Sequence, residues 1–194
     1  MPGETPIYHW PYPVATDPIY QGAQQMQNLA TAIEATFNAA TVPPGASPPP
    51  TASAIRTAGL SVNNSADTVV SWQAAEWDSQ PGGQAQYSTT GLTCRVAGLY
   101  LIEAVWTWAG NSNGRRSLKV TKNSTASSGA ILADAESANA WDNIGMASGV
   151  RRLAVGDVLR LIVAQDSGGT LTGGQTMFAD VRGRLTMTYQ RAVP

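Results

Sequence analysis

Residues 99–108 read LYLIEAVWTW, and this stretch decides the fold. Successive side chains of a β-strand point to opposite faces, so one face carries Tyr100, Ile102, Ala104, Trp106 and Trp108. The other face is also mostly apolar, and it carries Leu99, Leu101, Glu103, Val105 and Thr107. A strand that is apolar on both faces has to be covered on both. In a two-sheet sandwich the outer cover is another subunit, so we expect Leu99, Leu101 and Val105 to lie in a subunit contact.

Short alternating runs flank this strand from about Ala52 to the end of the chain. They are separated by turn sequences such as Pro81-Gly82-Gly83 and Ser167-Gly168-Gly169. Two later runs alternate regularly: residues 158–163 place Leu159, Leu161 and Val163 together, and residues 183–189 place Leu185, Met187 and Tyr189 together. The 19 glycines and 12 prolines also favour short strands joined by turns. The sequence therefore predicts an all-β sandwich over residues 52–194.

Residues 17–41 have the pattern of a helix, and residues 42–51 have that of a Pro-rich linker. Asp17-Pro18 is a helix start signal, with Asp as the N-cap and Pro in the first turn. The apolar positions of the helix form a narrow seam at 3-4 spacing: Ile19, Met26, Leu29, Ile33 and Phe37. Such a seam has to be buried, either against copies of itself or against its own β-domain. We favour self-association, because the proline-rich linker is stiff and extended.

Residues 1–16 form an arm in which prolines push the chain into extended conformations. The arm carries the aromatic residues Tyr8, Trp10 and Tyr12, and such residues are favoured anchors of interfaces. We expect these three to attach the chain to another protein. A terminus without a docking partner is the alternative.

Composition excludes several classes of protein. The 12 basic and 13 acidic residues give a net charge of −1, so no basic surface is expected for nucleic acid or for an anionic membrane. No run of about 18 apolar residues occurs, and no signal peptide is recognisable, which predicts synthesis in the cytoplasm without membrane insertion. The single Cys94 cannot form an internal disulfide and is expected to be a buried thiol.

A search for catalytic chemistry yields no candidate. His9 is the sole histidine and lies in the predicted arm. A serine or cysteine triad would have to depend on it alone, and a metal site would have no second histidine ligand. Asp134, Glu136 and Asp142 fall in a loop-rich stretch, where two carboxylates can hydrolyse a glycoside or hold calcium, but no calcium-binding spacing accompanies them. We therefore expect no catalytic residue, metal or cofactor. Trp141 beside Asp142 is the best candidate for contact with a receptor or glycan.

The order of several segments resembles the jelly-roll domain shared by complement C1q and tumour necrosis factor. Residues 90–100 are similar to the Gly-containing turn into the central strand of that family, and residues 118–123 follow it. Residues 153–161 are similar to its Gly-Asp turn and following strand, and residues 181–185 complete the succession. The resemblance covers roughly residues 53–190, and it implies a ten-stranded sandwich that forms a compact homotrimer. In that case the helix is a trimeric stem.

The N-terminal part is similar to a second group of proteins. Residues 12–18 and the Gln- and Ala-rich helix after them resemble the start of minor tail, fibre and head-fibre proteins of bacteriophages. That resemblance implies a non-enzymatic virion protein, attached to other virion proteins through the arm, whose head contacts the host surface, including a surface glycan. The alternatives are a capsid decoration or head-fibre protein, a soluble C1q-like ligand or lectin, and a glycan-degrading enzyme.

Overall fold

The structure is a computed structural model that describes residues 3–4, 11–12, 26–33, 49–139, 141, 143–177 and 180–192. It consists of two compact units, Met1–Pro48 and Pro49–Pro194. In the first unit, strand β1 (Gly3–Glu4) pairs antiparallel with strand β2 (Pro11–Tyr12). The described helix of this unit, α1, covers residues 26–33.

The first unit bears on the predicted arm and stem. Within the predicted arm, Gly3 lies opposite Tyr12 and Glu4 opposite Pro11. In α1, Met26 is 60% exposed, while Leu29 and Ile33 are half-buried. The other predicted anchoring and seam positions lie outside the described residues: Tyr8, Trp10, Ile19 and Phe37.

The second unit contains the remaining strands within the described residues. They are β3 (Thr51–Arg56), β4 (Leu60–Val62), β5 (Thr68–Val69), β6 (Ala74–Asp78), β7 (Tyr87–Ser88), β8 (Gly91–Thr93), β9 (Gly98–Trp108), β10 (Asn111–Lys122), β11 (Ala130–Asn139), β12 (Asn143–Leu153), β13 (Val158–Gln165), β14 (Leu171–Gly173) and β15 (Gly183–Arg191). Short 3-10 turns occur at Pro81–Gly83 and Ser127–Gly129.

These strands form two antiparallel sheets. Sheet 1 has the order β11-β10-β13-β8-β7, with β5 also paired to β13. Sheet 2 has the order β4-β14-β9-β15-β3-β6, with β12 paired to β9 along its whole length. Neighbours in each sheet are mostly distant in sequence, as in a jelly roll, and one hydrophobic core lies between the sheets. The predicted all-β sandwich is confirmed.

Strand β9 lies between β12 and β15 in sheet 2, and its inner face is buried as predicted. Tyr100, Ile102, Trp106 and Trp108 are all inaccessible to solvent. The rings of Trp106 and Trp108 meet edge to face with centroids 6.1 Å apart. Trp106 also packs against the backbone of Gly173, Gly174 and Gly183, where there is no room for a side chain. The largest core residue thus fixes how closely the backbone of β14 and β15 approaches β9.

The predicted linker ends too late. Thr51, which we assigned to the linker, begins β3, and the carbonyl of Pro50 accepts a hydrogen bond from Tyr189 N at 3.0 Å. Proline is compatible with this position because it lies just before the strand and contributes its carbonyl, not a donor. The β unit therefore begins at Pro49.

The predicted Gly-Asp turn joins β12 to β13 and is held by Asp157. Its carboxylate accepts hydrogen bonds from Ala154 N at 2.8 Å and Asn123 Nδ2 at 2.6 Å, and Lys122 Nζ lies 3.6 Å away. Burial by itself would raise the pKa of Asp157, but these partners outweigh it and hold the pKa below its usual value. Cys94 beside this turn is buried, as predicted, and burial raises the pKa of its thiol.

We predict that Gly174→Ala costs about 3 kcal/mol of the free energy of unfolding, because a Cβ there would overlap the indole of Trp106 at a positive φ of 80°. Gly168→Ala is the matched control. Gly168 has a φ of 89° and open space around it. Its replacement therefore costs only the strain of an alanine at a positive φ, about 1 kcal/mol of the free energy of unfolding. Urea denaturation measures both, and equal losses would contradict the packing of Trp106 against these glycines.

We predict that Asp157→Asn lowers the free energy of unfolding by about 1 to 2 kcal/mol at neutral pH. Because the folded pKa is depressed, the carboxylate stabilises the fold at pH values above its unfolded pKa of about 3.9. This contribution is lost as the pH falls through the lower, folded pKa. Urea titrations between neutral pH and pH values below that unfolded pKa should show the two proteins converging in acid, whereas a constant difference would contradict the assignment.

Candidate functional site

The outer face of sheet 2, which points away from the core, is the candidate site. The register pairs Val150 of β12 with Leu101 of β9, and Met146 with Val105. Side chains directly opposite each other in an antiparallel pair point to the same face. The six apolar residues that share this face are called the outer patch: Leu99, Leu101, Val105, Ile144, Met146 and Val150.

The outer patch is accessible in the single chain. Met146 is 64% exposed and Val150 is 49% exposed, while the other four residues are half-buried. Trp77 of β6 extends the apolar surface across the sheet and is 42% exposed. Isolated exposed apolar residues are ordinary, but several on one flat sheet face are typical of a protein interface. Leu99, Leu101 and Val105, which were predicted to lie in a subunit contact, are half-buried in the single chain.

Two adjoining hollows give this face its shape. One, of about 380 Å³, lies between Trp77, Glu103, Met146 and Thr188. The other, of about 320 Å³, is lined by Ile144, Val181 and Arg182. Val105, Met146 and Arg184 line both, so the hollows form one groove across β12, β9 and β15. A flat sheet with such a groove can receive protruding side chains from a partner.

Ion pairs border the groove at its β6 side. Arg184 Nε lies 3.1 Å from Glu76 Oε2, and Arg184 Nη2 donates to Glu76 Oε1 at 3.2 Å. Ser53 Oγ donates to the same carboxylate at 3.2 Å, and Arg182 pairs with Asp180 at 3.1 Å. The Glu76 carboxylate is thus held by Arg184 Nη2 and by the Ser53 hydroxyl. The groove therefore combines an apolar floor with an ordered polar border, which is the usual anatomy of a protein-protein contact.

The stretch around the predicted receptor contact differs from the expectation. Asp134 and Glu136 were placed in a loop-rich stretch, but both lie in strand β11. The Asp134 carboxylate accepts a hydrogen bond from Met146 N at 2.9 Å, which links β11 to β12. Trp141, in the connection between these strands, is 80% exposed, as a contact residue requires. Asp142 lies outside the described residues.

Met146, Val150 and Trp77 are site residues that the sequence analysis did not identify. Ile144, Met146 and Val150 do alternate along one face of β12, and this is the signal that was available. It was obscured by Gly145 and Gly149, which are residues typical of turns. Trp77 is 42% exposed on sheet 2 and lies outside the core.

The described part of the chain contains no group of three His, Cys, Asp or Glu side chains that could hold a metal ion. Among the described residues no helix is long and apolar enough to cross a membrane.

Comparison with known proteins shows the fold. No protein-family profile matches the sequence, and no curated protein does. Among solved structures, Eiger TNF from S. frugiperda has a TM-score of 0.55 at 16% identity, over 76% of this chain and 96% of that one. Murine APRIL has a TM-score of 0.53 at 14% identity, over 74% of this chain and 100% of that one. The globular domain of zebrafish complement 1qA has a TM-score of 0.50 at 15% identity, over 74% of this chain and 99% of that one. The expected C1q- and TNF-like jelly-roll fold is thus confirmed.

Proposed function

We propose that the chain is a non-enzymatic structural and binding protein that assembles into a homotrimer through the outer patch. The observation that carries this proposal is the exposure of Met146 and Val150 beside the half-buried Leu101 and Val105 on one sheet face. Removing these side chains from water is favourable in proportion to the apolar area covered. A second copy of the chain is a partner that is present whenever the protein is made.

A trimer is supported by the fold and by the helix. The jelly-roll resemblance implies a compact trimer, and in a cyclic trimer the outer patch of one subunit meets a different surface of the next. In α1, the 60% exposed Met26 and the half-buried Leu29 and Ile33 follow the 3-4 spacing of a coiled-coil seam. An isolated helix of this length is marginal in water, so association of three stems would stabilise it.

We further propose that the trimer is part of a bacteriophage virion, as a minor tail or fibre protein. The support is the likeness of residues 12–18 and of the helix to the start of such proteins, together with an arm that carries aromatic anchors at Tyr8, Trp10 and Tyr12. The N-terminal arm attaches to the particle, and the head contacts the host surface, with the 80% exposed Trp141 as a contact residue. A capsid decoration protein uses the same parts and differs in the site of attachment.

An enzymatic function has little support among the described residues. The carboxylate of Asp134, which a glycosidase would need for acid or base chemistry, accepts a hydrogen bond from Met146 N and links two strands. The pKa of Tyr100 is strongly raised by burial, so its hydroxyl is no acid or base near neutral pH. Both groups serve the packing of the sandwich.

We predict that Met146→Glu and Val150→Glu each convert the trimer into monomers, because three buried, unpaired carboxylates would oppose assembly. Sedimentation velocity should show the mass falling from three times 20.3 kDa to that of one chain. Val155→Glu is the matched control: Val155 is 66% exposed, but it lies in the turn between β12 and β13, away from the outer patch. A wild-type protein that sediments as a monomer would refute the trimer.

We predict that removal of residues 1–16 leaves the head trimeric but abolishes incorporation into virions. The physical reason is that the anchoring aromatics are lost while the outer patch is retained. Immunoblots of purified particles, made by complementing a phage that lacks the gene, measure incorporation. Particles that still incorporate the truncated chain would refute anchoring through the arm, and labelling of tail or capsid by immunogold microscopy would distinguish the two attachment sites.

A further inference from the structure

A groove on the outer face of sheet 1, on the opposite side of the head from the outer patch, has its own chemistry. It has a volume of about 410 Å³ and crosses β11, β10 and β13. Its floor consists of the small side chains Ser117, Ala135 and Ala164, and these are flanked along β10 by Arg115 and Lys119. This region is called the basic groove.

The basic groove differs in charge from the chain as a whole. Its described lining presents the side chains of Arg115 and Lys119 on the outer face together with the carboxylate of Asp166, whereas the whole chain has 12 basic and 13 acidic residues. Neither the Arg115 guanidinium nor the Lys119 ammonium forms an ion pair within the described part of the chain. Two cations that flank a concave surface, neither of them in an ion pair with a described carboxylate, favour an anionic ligand.

The backbone at the Arg115 end of the groove is fixed before any ligand binds. Asn111 and Arg115 flank a bulge in the pairing of β10 with β11, and Gly114 in this bulge has a φ of 75°. A Cβ at Gly114 would overlap the backbone of Asp166, so the glycine allows the close approach. Arg115 N donates to Asp166 Oδ1, and the buried guanidinium of Arg116 donates to Asn111 O at 3.0 Å and Asn113 O at 2.9 Å.

The arrangement of charges selects among anions. Arg115 and Lys119 are four residues apart on one strand, so their Cα atoms are about 13 Å apart, which is longer than one small anion. The exposed carboxylate of Asp166 repels a compact multivalent anion at one end, but it accepts hydrogen bonds from hydroxyl groups. The Ser117 hydroxyl adds a donor between the two cations. A ligand with both hydroxyl and anionic groups fits these partners better than an inorganic ion does.

We infer that the basic groove binds an acidic oligosaccharide, with its anionic groups at Arg115 and Lys119 and its hydroxyl groups toward Ser117 and Asp166. Carboxylate-bearing and phosphate-bearing saccharides share this chemistry. Nucleic acid is disfavoured, because no aromatic side chain lines the groove for base stacking. The inference deepens the proposed contact with a host surface, but binding to the groove does not require the trimer, so the two can fail separately.

The test is binding of the full-length protein, measured by calorimetry at low ionic strength. The probes are a hexamer of galacturonic acid, a short poly(glycerol phosphate) glycan, a neutral maltohexaose and a single-stranded DNA oligonucleotide. We expect one of the two acidic glycans to bind, and which one binds identifies the anionic group. Maltohexaose and the DNA should not bind.

Variants then locate the site. Arg115→Gln and Lys119→Gln should each weaken binding about tenfold, since each removes one charge-assisted contact. Arg191→Gln is the matched control, because Arg191 is an exposed cation at the end of β15 in sheet 2. It should bind as the wild type does. Sedimentation and thermal unfolding of each variant verify the assembly and the fold, and the exposed position of Arg115 makes its replacement tolerable.

Three results would overturn the inference. The first is that neither acidic glycan binds. The second is that the Arg115 and Lys119 variants bind as tightly as the wild type, or that Arg191→Gln weakens binding equally, which would indicate a general charge effect. The third is that DNA binds through Arg115 and Lys119 as well as the glycan does. A protein that binds the glycan through these residues as a monomer would keep this inference and refute the trimer.

Discussion

Strand β9 carries apolar side chains on both faces, and the head can be understood from how each face is covered. The inner face is covered within the chain: Trp106 meets the backbone of three glycines and the edge of Trp108, which fixes the spacing between β9 and its neighbours. The hydrogen bonds of β9 go to β12 on one side and to β15 on the other, so it has no open edge over most of its length. What remains uncovered in a single chain is the outer face.

The sequence predicted the parts of the fold in which local alternation and burial agree. Strands β9, β13 and β15 alternate regularly, and they were expected at nearly their observed bounds. Strands β11 and β12 were not expected, because Gly145, Gly149 and several polar residues gave them the composition of a loop. Strand β12 forms because it pairs with β9 along eleven consecutive residues. That stabilisation comes from the partner strand, so the local sequence of β12 does not reveal it. Tertiary pairing overrode local preference there.

The two candidate sites differ in how much of them the sequence could reveal. Half of the outer patch, Leu99, Leu101 and Val105, could be predicted from the alternation of the single strand β9. The basic groove could not, because it depends on how three strands, β11, β10 and β13, are aligned with one another. Arg115 and Arg116 are neighbours, and the bulge between Asn111 and Arg115 sets which one faces outward. A slip by one residue would put Arg115 in the core and Arg116 on the surface. Neither composition nor a net charge of −1 contains that information.

The outer patch and the basic groove lie on opposite faces of one sandwich, and this separation has a physical consequence. An apolar surface used for assembly loses its access to solvent, so a second ligand has to be met by the other sheet. If three heads assemble through sheet 2, each presents its sheet 1 outward, and the trimer carries three equivalent basic grooves. A repeating acidic glycan that spans two grooves would be held far more tightly than by one, because the second contact is made at a high effective concentration. In such a trimer, weak and open sites would be sufficient for binding a surface, because the assembly would set their number.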